Sequence, residues 1–189
     1  MMRPAPIMTA QPFAKLPEHL RHKGMPSDWA KMTRPGHAMH SFLEGAFFDS
    51  HGDLWLSDVP YGRVFRVAPQ GAWHLEHQID GAPHAMRIAS DGRHIAVDYH
   101  HGLIELTGTG QFSVVSAGLK DHPFLGLSDM AYAPDGALWF TDSGRSSLSD
   151  PTGRLYVMMP DGQLRLVLEN IPYSNGICLS PNGEWVYVA

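Results

Sequence analysis

One cysteine, Cys178, stands among the 189 residues, so no internal disulfide can brace the fold. That pattern suits a reducing compartment, and a cytoplasmic location is expected. Charge is sparse too: 17% of residues are charged against 43% hydrophobic, with a net balance of −5. No basic cluster is present, which argues against nucleic acid or an anionic membrane surface as a partner. No apolar run approaches the roughly 20 residues of a membrane helix. The opening Met1-Met2-Arg3-Pro4-Ala5-Pro6 lacks the continuous apolar core of a secretory signal. Polar sequence containing Pro, Met and His continues to about His40, and residues 1–40 are read as an extended lead-in arm packed loosely on the first blade.

What the chain does have is a repeat. The turns Ser50-His51-Gly52, Ser90-Asp91-Gly92, Pro134-Asp135-Gly136 and Pro181-Asn182-Gly183 place glycines 40, 44 and 47 residues apart. Periods of this length mark repeat architectures. Alternating segments follow, among them Leu54-Trp55-Leu56-Ser57-Asp58, His94-Ile95-Ala96-Val97-Asp98 and Leu138-Trp139-Phe140-Thr141-Asp142, each ending in Asp at the same offset. A second glycine (Gly62, Gly102, Gly153) opens a third strand, and a fourth begins near Trp73, Phe112 and Leu164. A β-sandwich uses similar turn signals, but a blade-length period with offsets kept to the residue predicts four-stranded antiparallel meanders, the blades of an all-β propeller. Residues 41–189 give about three and a half blades, beginning near 42, 82, 126 and 173. Closed propellers need about 4–8 blades, so the chain is expected to be the N-terminal part of a longer one. Cys178, between Ile177 and Leu179 on an inner strand, is expected to be a small buried side chain.

Eight positions before each turn glycine stands a polar residue: Glu44, His84, Ser128 and Asn175. At the start of each blade's innermost strand, these four are expected around one mouth of the central channel. The link between second and third strands opens on that same mouth. In the third blade it is long, 17 residues from Gly136 to Gly153 where the first two blades use 10, so the stretch Gly144 to Thr152 reads as a substrate lid. Polar oxygens at one repeat position suit a hard cation, since Ca²⁺ takes about six to eight oxygen ligands; Glu44 and Asn175 supply two. His84 suits Zn²⁺ or Mn²⁺ better, or a part in binding or proton transfer.

The motifs Ser41-Phe42-Leu43-Glu44-Gly45, Asp58-Val59-Pro60-Tyr61-Gly62-Arg63-Val64-Phe65-Arg66, Phe140-Thr141-Asp142-Ser143-Gly144, Asp150-Pro151-Thr152-Gly153-Arg154 and Ile171-Pro172-Tyr173-Ser174-Asn175-Gly176 together resemble the senescence marker protein-30/gluconolactonase/luciferin-regenerating-enzyme-like family. The resemblance runs from Ser41 to Ala189. It implies a six-bladed propeller, one divalent cation in the channel, usually Ca²⁺, and hydrolysis of lactones. It also implies metal-ligand roles for Glu44 and Asn175. At two positions this chain departs from the family pattern. The third blade's usual Asn-Asp reads Ser128-Asp129, a shorter side chain that would act through water, and the second blade's frequent Pro-Asn-Gly reads Pro83-His84-Ala85. The family's remaining ligand, an aspartate that also serves as base, is expected beyond Ala189.

On this resemblance the cation would polarise a small-molecule lactone's carbonyl for attack by water. Asp129 is the nearest carboxylate within the chain to take the proton. His84, Ser128, Arg145 and Ser146 are candidates to contact substrate hydroxyls. Two other readings stand beside this one: a non-catalytic small-molecule-binding propeller, and a propeller resembling strictosidine synthase, which condenses its substrates through a glutamate without metal. The position of Glu44 counts against the latter.

Overall fold

The turn glycines Gly52, Gly92, Gly136 and Gly183 carry φ of +82°, +87°, +86° and +71°, left-handed values that glycine reaches without a Cβ penalty. Each closes a hairpin in the computed structural model, which describes residues 7–189; Met1 to Pro6, the start of the lead-in arm, lie outside the described residues. The first blade comprises β1 (Leu43–Phe48), β2 (Leu54–Asp58), β3 (Arg63–Val67) and β4 (Trp73–Gln78). The second holds β5 (Pro83–Ile88), β6 (His94–Asp98), β7 (Gly102–Gly108) and β8 (Gln111–Ser116). A two-residue hairpin, β9 (Gly118–Leu119) with β10 (His122–Pro123), leads to the third, β11 (Leu127–Tyr132), β12 (Leu138–Asp142), β13 (Gly153–Met158) and β14 (Leu164–Ile171). In all three the strands pair antiparallel in sequence order. β15 (Ile177–Leu179) and β16 (Val186–Val188) form one further hairpin. The all-β architecture follows the repeat.

The second glycine of each repeat has a different cause. A Cβ on Gly62, Gly102 or Gly153 would lie 2.0, 2.6 or 2.4 Å from the backbone oxygen of Ile79, Ser116 or Ile171. Only glycine lets the chain leaving the fourth strand pass that close.

The core lies between blades. Trp55 and Val64 from the first blade pack with Met86, Ala96 and Ile104 from the second. Ala85, Val97 and Leu103 of the second pack with Leu127, Met130, Phe140 and Tyr156 of the third. Middle strands are therefore apolar on both faces, as in β3, where Val64, Phe65 and Val67 are fully buried. Such sheet-on-sheet burial supplies most of the folding free energy.

One polar contact sits inside the first of these seams. His77 on β4 and His94 on β6 meet at 2.8 Å, Nε2 to Nδ1, with the Trp55 ring edge-on to His94 at 5.1 Å. Burial pushes both imidazoles below their ordinary pKa, with Glu76 opposing the shift. For a base with a depressed folded-state pKa, the unfolded chain takes the proton first. Stability is therefore complete above about pH 6.5 and is lost as the pH falls toward the folded-state values. The urea midpoint should drop between pH 8 and pH 5, and a His77→Leu/His94→Leu double variant should show a flatter profile. An unchanged slope would assign the effect to other histidines.

The lead-in arm is more firmly built than its composition suggests. After a 3-10 turn at Glu18–Leu20, Ser27 caps α1 (Asp28–Thr33) by accepting from the Ala30 N–H at 3.2 Å. Trp29 from α1 is buried against Val59 and Ala82. Arg63, itself buried, donates to Leu20 O at 2.6 Å and His40 O at 3.4 Å, and His22 stacks on Tyr61 with centroids 3.8 Å apart. The expected loose packing is thus corrected: a buried guanidinium and an indole fasten the arm across the first two blades. No helix among the described residues is long and apolar enough to cross a membrane.

Candidate active site

The inner strands follow one another around the channel, β1 against β5, β5 against β11 and β11 against β15. Their starting ends are set by the repeated aspartates. Leu43 pairs with Asp58, Pro83 with Asp98 and Leu127 with Asp142, and all three carboxyls are fully buried. Each accepts backbone N–H groups from the segment that leads into its blade. Phe42 donates to Asp58 at 2.7 Å, Ala82 to Asp98 at 2.7 Å, and Leu125 and Gly126 to Asp142 at 2.9 and 2.8 Å. Burial pushes Asp58 and Asp142 above the ordinary carboxyl range, and these N–H donors work against that shift.

Just past each pinned position the inner strand carries a register shift: between Glu44 and Phe47, between Pro83 and Ala85, and between Leu127 and Met130. Bulges re-aim side chains. Glu44, His84 and Ser128 therefore sit at equivalent positions of β1, β5 and β11, each at the bulge. Asn175 precedes β15, its N–H donating to Ala189 O at 2.7 Å and its carbonyl accepting from Thr141 Oγ1 at 2.6 Å. Its side-chain amide enters neither bond.

Two of the four residues touch directly. His84 Nδ1 lies 3.0 Å from Glu44 Oε2. Gly45 makes this possible: its φ is +62°, and a Cβ there would stand 2.5 Å from His84 O, so only glycine lets β1 come this close to β5. The carboxylate side chain keeps 28% exposure while that of His84 keeps 11%. The imidazole lies between Trp29, edge-on at 5.8 Å, and Tyr99 at 6.0 Å, and its Nε2 is buried without a partner among the described residues. The Ser128 hydroxyl bonds that of Ser143, where the third-blade link leaves β12, so the long loop starts on the face carrying the polar ring.

Two other expected site residues, Asp129 and Ser146, find different surroundings. Asp129 accepts from the N–H of Met130 at 2.8 Å and of Ile177 at 3.1 Å, and from Arg87 at 3.4 Å. A carboxylate so engaged ties β5, β11 and β15 together and is poorly placed to act as a free base. Ser146 is 3% exposed; its hydroxyl donates to Ile171 O at 3.0 Å and accepts from the N–H of Gly153 and of Tyr173 at 3.0 and 3.2 Å. That hydroxyl is spent on backbone, while Arg145 and Leu148 on the same loop are exposed. Cys178 is exposed on β15, against the expectation of burial, because it faces away from the blade that buries Ile177.

Sequence reasoning missed three contributors. Trp29 and Tyr99 wall His84. Arg87, three residues after His84, donates to Gly45 O at 3.3 Å and to Asp129, and packs over Phe47 at 5.0 Å. A charged residue in an inner strand that is apolar apart from His84 was the available signal for Arg87. For Trp29 there was none, since it lies outside the repeat.

The blade repeat and its buried aspartates define a propeller, and comparison with known proteins gives it a family. Residues 42–189 match the SMP-30/Gluconolactonase/LRE-like region; the chain belongs to this family. A lactonase, drp35, of Staphylococcus aureus is 30% identical over 172 residues, 85% of this chain and 50% of that protein. The chain thus spans about half the length of the curated relatives it matches. Two solved structures share the fold: a gluconolactonase of Xanthomonas campestris, TM-score 0.69 at 20% identity over 79% of this chain and 54% of that one, and regucalcin, a calcium-binding protein of Agrobacterium tumefaciens, TM-score 0.65 at 24% identity over 78% and 50%.

Proposed function

We propose that this chain carries the mouth of a divalent-cation-dependent lactonase, with Ca²⁺ held by Glu44 and Asn175. The observation that carries the reading is the state of those two side chains. They occupy the same repeat position, Glu44 Oε1 lies outside the bond that His84 makes to Oε2, and the Asn175 amide is outside the bonds its backbone makes. One carboxylate and one amide oxygen suit a hard cation. The donor set favours Ca²⁺ over Zn²⁺, because His84 has Nδ1 committed to Glu44 and Nε2 buried and so offers no imidazole nitrogen. Among the described residues no group of three or more His, Cys, Asp or Glu is gathered as a metal cage, so the described ligands are few and the affinity of this chain should be low, on the order of millimolar. Names borne by relatives, a lactonase in Staphylococcus aureus and a gluconolactonase in Xanthomonas campestris, supply the substrate class, a small-molecule lactone. The calcium-binding regucalcin supplies the cation.

Bound at this mouth, Ca²⁺ would contribute Lewis acidity toward a lactone carbonyl. The chain's own residues supply ion binding and substrate contact. Glu44 and Asn175 would hold the ion, and exposed Arg145, on the loop that follows Ser143, is the candidate contact for substrate oxygens; the Ser128 and Ser143 hydroxyls are buried and bond each other, so they tie β11 to the start of that loop instead. Asp129 holds strands together and is not the base in this reading.

The test is turnover. The chain should open members of a panel of sugar, aliphatic and aromatic lactones in millimolar CaCl₂, and EDTA should abolish the rate. Calcium binding with no turnover on any lactone would favour the non-catalytic binding platform, a reading supported by the departures His84 and Ser128 from the family pattern.

A further inference from the structure

We propose that His84 is a positioning residue for Glu44, and that the N-terminal arm, through Trp29, holds it in place. This rests on the reading of Glu44 as a cation ligand and adds to it what aims that ligand.

A glutamate at a strand bulge has three rotatable bonds and, at 28% side-chain exposure, ample room to use them. A ligand that wanders must be ordered when the cation arrives, at a cost in affinity. His84 removes the wandering. An ionised carboxylate only accepts hydrogen bonds, so the 3.0 Å contact puts a proton on Nδ1. Among the described residues Nε2 has no hydrogen-bond partner in its buried surroundings, so no second hydrogen bond competes to orient the ring. Packing does it instead: Trp29 meets the imidazole at 67° and Tyr99 lies at 31° to it. Those two rings fix the imidazole plane, the plane fixes Nδ1–H, and Nδ1–H holds Oε2, which leaves Oε1 free of the imidazole.

Trp29 is the far end of this chain of contacts. It lies 55 residues before His84, buried among Val59, Ala82, Phe42 and Tyr99. The arm behind it is fastened by Arg63 to Leu20 O and His40 O. Partners that orient a metal ligand through a hydrogen bond typically change metal affinity by about 10–100-fold when removed.

The experiment is isothermal titration of the full chain with TbCl₃, a hard trivalent ion that takes oxygen sites more tightly than calcium, with CaCl₂ as competitor. His84→Leu should weaken binding about 10–100-fold. His84→Asn, whose amide N–H can reach the place of Nδ1–H, should restore most of that loss. Trp29→Leu should weaken binding in the same direction although it removes no group that touches Glu44. Melting curves run beside each titration keep every measurement on folded protein. Wild-type affinity in His84→Leu, with binding lost in Glu44→Gln, would overturn the positioning role and leave the proposed site standing. Equal losses in His84→Leu and His84→Asn would overturn the hydrogen-bond basis. Unchanged affinity in Glu44→Gln, or no Tb³⁺ binding by the wild type, would instead remove Glu44 as the ligand.

Discussion

Glu44→Gln should lower calcium-dependent lactone turnover by about 10²–10³-fold, the scale on which removal of one electrostatic contributor slows acyl-transfer chemistry. The substitution changes charge and almost nothing else. Glutamine keeps the length of the side chain, and its carbonyl oxygen can still accept from His84 Nδ1, so the contact at 3.0 Å and the close approach at Gly45 survive. What goes is the one carboxylate of the described ring, and Ca²⁺ affinity depends strongly on ligand charge. Initial rates measured across calcium concentrations separate two outcomes. If saturating calcium restores the rate, Glu44 acts by holding the ion; if the loss persists, it also shapes the reacting complex. A wild-type rate at low calcium would exclude Glu44 from the site.

The repeat made the fold readable because its signals are local. A left-handed glycine at Gly52 or Gly136 and a strand ending in Asp58 or Asp142 each depend on a few neighbouring residues, and recurrence at fixed offsets multiplied a weak signal. The shared repeat position of Glu44, His84, Ser128 and Asn175 was readable for the same reason. What those residues touch was not. Asp129 stands beside a ring position, and only the contacts with Ile177 and Arg87 on other blades reveal a carboxylate used as a strand tie. Ser146 lies in a loop whose length suggested a lid, yet its hydroxyl is consumed by Ile171, Gly153 and Tyr173, partners up to 27 residues away. Trp29 belongs to a segment with no period at all, so its contact with His84 depends wholly on tertiary packing. Local propensity carries no information about such contacts.

Asp58→Ala should destabilise the chain by about 3–5 kcal/mol, the scale for breaking a buried ion pair from one side, and more than Asp98→Ala or Asp142→Ala. All three aspartates are fully buried and all three hold the segment leading into a blade. Only Asp58 also faces a buried arginine, with Arg63 Nε donating to Oδ2 at 2.8 Å. Loss of Asp98 leaves the Ala82 N–H buried without an acceptor, while the N–H groups of His100 and His101, an exposed and a half-buried residue, can turn to water, and loss of Asp142 leaves Leu125 and Gly126 short; an unmade bond of this kind costs about 1–3 kcal/mol per buried group. Loss of Asp58 strands the Phe42 N–H and a guanidinium whose remaining acceptors, Leu20 O and His40 O, are neutral. The damage should therefore reach the arm. Urea denaturation gives the ranking, and a red shift of tryptophan emission below the unfolding transition would report Trp29 leaving its pocket. Pairing Asp58→Ala with Arg63→Met should recover a large part of the loss, because the uncompensated charge is then gone. If the double variant is no more stable than Asp58→Ala alone, the N–H bond to Phe42 is what Asp58 supplies, and all three aspartates then serve the blades in the same way.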